Sequence, residues 1–245
     1  MRQGVVLGVV AAAAFVAVGI ATLPASLVAS HLPPDLKVDG VSGTIWNGGA
    51  DTLRLRGVSL GAFNWSVEPA ALLSGELAFH IEVTRPDGFV RGRVAATAGG
   101  TLTGSDLELE LPLTALHPEA KNDWQGDLKG TVKSVRLENG WPVALIGTFT
   151  MSGLTPPSAE MAIGDFALDF DGKADTPKQL VGRLRDLSAP LLVRAQLIVH
   201  RDRSYALTGE VTPRRDAPPE VSRAVAYLGA PDASGRRSFE ITGTF

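Results

Sequence analysis

From Gly4 to Leu23 the chain reads GVVLGVVAAAAFVAVGIATL, twenty residues without a charge. Wound as a helix, such a run spans about 30 Å, the thickness of a bilayer's hydrocarbon core. Only Met1, Arg2 and Gln3 precede it, Pro24 closes it, and no second run of the kind follows. The sequence therefore predicts one transmembrane anchor over residues 4–23, marked along its length by Gly4, Val10, Phe15 and Leu23. Arg2 beside the amino terminus keeps residues 1–3 as a cytoplasmic tail, while the long remainder crosses. Residues 24–34 form a stalk, continuing the helix until Pro33-Pro34 stops it, and residues 35–245 form one exported domain. The competing reading is a cleaved secretory signal, for which Val28-Ala29-Ser30 offers a small-residue site, although the apolar run is longer than a usual signal core.

After Pro34 the hydrophobic period changes to two. Leu77, Phe79, Ile81 and Val83 alternate with polar or small residues, as do Leu107, Leu109 and Leu111, then Phe166, Leu168 and Phe170. Phe239, Ile241, Gly243 and Phe245 repeat the pattern at the C-terminus. Strict alternation gives one dry and one wet face, as in an antiparallel sheet. Leu191–Val199 is more continuously apolar and reads as a strand covered on both faces. Glycines open or interrupt many strands, at Gly43, Gly75, Gly92, Gly100, Gly130, Gly147, Gly209 and Gly243, which predicts a strongly curved sheet. Helical signals are few. Pro69–Ser74 makes a short turn stopped by Gly75, and residues 218–228 make a helix with Val221, Ala224, Val225 and Leu228 on one face. The fold class is mainly β: an N-terminal transmembrane helix, then a strongly curved antiparallel sheet with few short helices.

Composition removes several kinds of chemistry. There are no cysteines, so disulfides, thiolate metal sites and a cysteine nucleophile are excluded. Beyond Pro24 the chain carries 22 basic against 26 acidic residues, since Arg2 is the one basic residue of the 23 that precedes it; this net charge of −4 gives no footprint for nucleic acid. Gly57-Val58-Ser59-Leu60-Gly61 matches a nucleophile-elbow spacing, but Ala62–Val67 behind it reads as a strand rather than the helix that motif needs. His31, His80, His117 and His200 show no metal-ligand spacing. Asp165, Asp169, Asp171 and Asp175 lack the calcium-loop pattern, and Asp171-Gly172 reads as a turn. Catalytic, metal and cofactor residues are expected to be absent. Trp46, Trp65, Trp124 and Trp141 sit at strand ends or turns, as anchors of the sheet or as a rim for a partner or lipid.

Val41-Ser42-Gly43-Thr44-Ile45-Trp46-Asn47-Gly48-Gly49-Ala50 resembles a segment of the type II secretion system protein N family. Leu23-Pro24-Ala25 after the apolar run, Leu60-Gly61, Asn64-Trp65 and Pro69–Gly75 match in order, followed by Leu228-Gly229-Ala230-Pro231-Asp232 and Gly235-Arg236-Arg237-Ser238-Phe239. The resemblance marks Gly43, Thr44, Trp46, Gly48, Trp65, Pro231, Gly235 and Phe239 as structural or interaction positions. It implies a single-pass subunit of the bacterial inner membrane with its C-terminal domain in the periplasm. Such a subunit is an accessory to the machine that exports folded proteins across the outer membrane. Its implied partners are other components of that machine and the lipid around its anchor. On Gly43–Trp46 the residues themselves suggest a bend, a strand, and a tryptophan locking the turn. The other reading, an architectural analogy to AsmA-type proteins, is a periplasmic lipid-binding or lipid-transfer module, with lipid held in the concavity of the sheet.

Overall fold

The computed structural model describes residues 22–29, 32, 34–55, 58–115, 124–157, 162–172 and 179–244. The anchor positions Gly4, Val10 and Phe15 lie outside the described residues. Among the described residues, no helix is long and apolar enough to cross a membrane. The protein is mainly β, its strands joined in antiparallel pairs, with few helical segments. It divides into two compact units, Met1–Pro86 and Asp87–Phe245.

The first unit contains β1 (Leu36–Asp39), β2 (Ser42–Gly43), β3 (Asn47–Leu55), β4 (Val58–Val67) and β5 (Glu76–Arg85). They lie in the order β1-β3-β4-β5, with β2 paired to β3. Cross-strand partners share a face, and the register aligns Ala50, Phe63 and Val83 in one row and Gly48, Trp65 and Ile81 in the next. A 3₁₀ turn at Pro69–Ser74 covers the other face of β5. Ala78 there is fully buried, and Gly75 ends the turn in the left-handed conformation at φ +77°.

Ahead of these strands the chain does not run on as a stalk helix. Pro24 forms an antiparallel bridge with Thr44, and among the described residues one helical turn follows, α1 (Ser26–Ala29). Ala25 donates to the Gly43 carbonyl at 3.1 Å, and Ile45 donates to the Leu23 carbonyl at 3.0 Å. Pro24 has no N–H and disfavours helical backbone at the residue before it, which suits Leu23 to the extended pairing it makes here.

The second unit is a meander of β6 (Gly88–Thr97), β7 (Thr101–Pro112), β8 (Gln125–Glu138), β9 (Trp141–Thr155), β10 (Gly164–Asp171), β11 (Gln179–Ser188), β12 (Leu191–His200), β13 (Ser204–Pro213) and β14 (Arg237–Thr244). Period-two patterning sorts its faces. One register row runs Leu107, Val132, Gly147, Phe170, Gly182, Leu197, Leu207, Ile241. A row on the opposite face runs Glu108, Thr131, Thr148, Asp169, Arg183, Gln196, Thr208, Glu240. The apolar face is covered in part by α2 (Pro219–Ala226), whose Val225 packs with Phe166, Val193 and Val211 to form the core.

Two expectations need correction. Leu191–Val199 is not covered on both faces: Leu192 is 46% exposed, and Arg194 and Gln196 are exposed beside it. The sheet is also not strongly curled. The reason lies in where the glycines fall. Gly75 and Gly100 sit between strands, with positive φ. Gly130 and Gly243 sit inside regular strand, directly opposite Phe149 and Tyr205. A Cβ on Gly130 would stand 2.9 Å from the Phe149 ring, and one on Gly243 2.6 Å from the Tyr205 hydroxyl. These glycines are gaps that aromatic rings fill, which keeps the strand straight. Gly92, at a register shift and φ +151°, is one that does bend its strand.

Candidate interaction surface

The motif residues of the first unit come together. Thr44 N–H donates to the Asn47 carbonyl at 2.8 Å, and Asn47 N–H donates to the Thr44 hydroxyl at 3.2 Å, closing a tight turn between Gly43 and Gly48, which pair across it. A Cβ on Gly48 would meet the Trp65 ring at 2.6 Å. The Trp65 indole braces this turn: its Nε1 donates to the Ile45 carbonyl at 3.2 Å, and its ring stacks on Phe63 with centroids 5.5 Å apart. Trp46 contributes its backbone, its carbonyl accepting from Val67 at 2.7 Å. Since Leu23–Ala25 bonds to Gly43–Ile45, this cluster fixes where the chain leaves the apolar run and enters the sheet.

The motif of the second unit builds the turn that delivers β14. Asp232, which follows Pro231, accepts from the Ser234 N–H at 2.8 Å, the Ser234 hydroxyl at 2.6 Å and the Arg236 N–H at 2.9 Å. Gly235 takes φ +82° and donates to the Asp232 carbonyl at 3.0 Å. The Ser234 hydroxyl, and then the Arg236 N–H, hold the Asp232 carboxyl down at about 2 against an ordinary 3.8. Arg236 leaves this turn to pair with Glu210 at 3.0 Å, and Phe239 packs against the core. Sequence reading marked Pro231, Gly235 and Phe239, but missed that Asp232 is the hub; the signal was the Asp-x-Ser spacing of an Asx turn.

Beside Phe239 lies an apolar pocket of about 870 Å³. Inward-facing residues of β9 to β14 line it, among them Met151, Phe166, Leu184 and Leu207, together with Val225 of α2 and Leu228 just beyond. Ser238 and Glu240 are the polar exceptions in the lining. Four successive residues of β14, Ser238 to Ile241, border the pocket. Phe239 and Ile241 share the apolar face of β14, so the cavity extends along that face as far as this last strand. The rim is open: Ile241 is 51% exposed, Leu228 46% and Trp124 41%. Neither the tryptophans as a set nor the pocket was legible as a site, because the pocket is assembled from six strands whose register the sequence does not display.

The remaining chemistry-bearing residues serve the sheet. Ser59 lies in β4, with Leu55 opposite Val58, so no strand-to-helix elbow surrounds it. Asp169 accepts from Thr148 at 2.7 Å and from Arg185 at 3.0 Å; the Thr148 hydrogen bond first, and then Arg185, lower its carboxyl below the usual range despite partial desolvation. Asp171 pairs with Arg183 at 2.9 Å, and Asp165 accepts from the Gly153 N–H at 2.8 Å. Asp175, His31 and His117 lie outside the described residues. Among the described residues, no group of three His, Cys, Asp or Glu side chains is placed to hold a metal.

The family model described as type II secretion system (T2SS), protein N matches residues 34–240, which include every motif position from Gly43 to Phe239. A protein of Vibrio cholerae serotype O1 named type II secretion system protein N is 28% identical, with 99% of each chain covered. Proteins of the same name from Aeromonas hydrophila and Klebsiella pneumoniae are each 26% identical, covering 96% of this chain and 96% and 94% of their own. No solved structure matches.

Proposed function

This chain belongs to the type II secretion system protein N family, and on that footing we propose that it is an accessory subunit of the secretion machine, working through protein–protein contacts rather than catalysis. Residues 4–23 moor it in the inner membrane, residues 1–3 stay in the cytoplasm, and residues 35–245 form a periplasmic β-rich region that meets other secretion components. The observation that carries the reading is the family match along nearly the whole chain. The uncharged run Gly4–Leu23, ending where Leu23–Ala25 joins the sheet, supports the mooring. Membership of the family favours this reading over lipid transfer.

The test is genetic. Deleting the gene from its host should lower the extracellular fraction of a type II cargo enzyme and raise the periplasmic fraction, with restoration by a plasmid copy. Export at the parental rate, together with no crosslink to another secretion subunit in living cells, would sink the reading.

A further inference from the structure

We propose that the outer edge of β14, with the apolar pocket it borders, is a docking site for an extended segment of another protein. That segment adds as a further strand, apolar at alternate positions and carrying a basic residue opposite Glu240. The inference rests on the reading of this protein as a contact-making subunit and locates the contact.

Three observations converge. First, among the described residues β14 pairs only with β13, over eight successive positions with no register shift. A long, regular edge presents a row of unpaired backbone donors and acceptors, which native proteins normally blunt with lysine, proline, a bulge or brevity. β14 has eight residues with no lysine, proline or bulge, its charges being Arg237 at its start and Glu240, whereas β1, at the end of the first unit's strand order, has only four residues and carries Lys37. Second, the pocket reaches β14, so an added strand would place its inward side chains beside Phe239 and Ile241, next to a ready-made apolar space. Third, the edge carries an acid without a counter-charge. In the interior of the polar face Glu110 pairs with Lys129, Asp169 with Arg185 and Glu210 with Arg236. Glu240 faces only Thr208 on its inner side and has no cationic partner among the described residues. A basic residue on the incoming strand completes the row. A second copy of β14 does not supply a free one: antiparallel self-pairing that keeps the two apolar faces on one side sets Glu240 against Glu240, Ser238, Thr242 or Thr244 within the strand, the Arg236 just before it is already paired with Glu210, and Arg237 lies on the apolar face beside Val211.

The probe is a fluorescein-labelled peptide of about nine residues, with valine at alternate positions and lysine at the central position between them. It is titrated by anisotropy against the full chain in mild detergent. Saturable binding is expected, with slowed hydrogen exchange at the β14 amides. Glu240→Lys, an exposed and unpaired position whose exchange should not disturb the fold, is expected to weaken binding about tenfold, and a peptide with glutamate for lysine should restore it. Circular dichroism of the variant checks that the sheet is retained. The proposal is overturned by absence of saturable binding, by equal binding of both peptides to both proteins, by protection away from β14, by phospholipid found filling the pocket in native mass spectrometry, or by dimers joined through β14. Because the readout is binding, it is separate from secretion: normal export in a deletion strain alongside charge-swapped binding would remove the secretion role and leave the docking edge in place.

Discussion

A glycine and an aromatic ring facing each other across two strands act as one unit, and only the register reveals it. Gly130 was visible as a strand glycine, and the natural sequence reading was a bend. Its partner Phe149 lies nineteen residues away and is brought opposite by pairing of β8 with β9. Gly130→Ala places a methyl 2.9 Å from both the Leu109 and Phe149 side chains. Overpacking of this kind should cost about 1–3 kcal/mol, read as a lower urea midpoint at unchanged slope. At Asp232 the electrostatics predict a titration. Its folded carboxyl sits at about 2, below the ordinary 3.8, so the charge-assisted turn contributes its full stability above 3.8 and loses it as pH falls from there through about 2. Proton-coupled NMR should find that low midpoint at Asp232, and Asp232→Asn should flatten the acid limb of stability between those values.

Elements with a strong period were the legible ones. The strands at Leu77–Val83 and Phe166–Phe170 form where their period-two sequences place them, and Phe79, Ile81 and Val83 are less exposed than His80 and Glu82 between them, while Ala78 and Ala167 are buried on the other face. The helix over residues 218–228 was drawn from i, i+3, i+4, i+7 spacing, and α2 occupies Pro219–Ala226. Its face is narrower than the spacing implied, however: Val225 is buried at 5% exposure while Leu228 remains on the pocket rim. Val225 therefore carries the docking of α2 on the sheet, and Val225→Ala should lower unfolding stability by about 1–3 kcal/mol, measured by chemical denaturation. Tyr227→Ala, at a side chain 93% exposed, should change it by less than about 0.5 kcal/mol. β12 was read less well, because a run of apolar residues at both parities does not say which face another element covers, and among the described residues α2 covers one face alone.

Over the whole molecule, the family and the β class could be read from sequence, while the division into two units could not. The boundary between Pro86 and Asp87 lies in a short turn between β5 and β6, with no change of composition and no linker to announce it. The pocket was equally hidden, being shared by six strands and a helix. The mooring makes its own prediction at this scale: removing residues 4–23 should move the protein from carbonate-washed membranes to the soluble fraction, followed by immunoblotting after ultracentrifugation. Where the chain enters the body then acquires a mechanical meaning. Leu23–Ala25 is stitched to Gly43–Ile45 by sheet hydrogen bonds within a few residues of the apolar run. With residues 4–23 moored as proposed, a tug from the lipid plane would be taken up at once by the turn that Trp65 braces, with almost no slack to pay out. On that reading the first unit would ride on a short tow-line, held near the membrane by its own hydrogen bonds and not by a flexible tether.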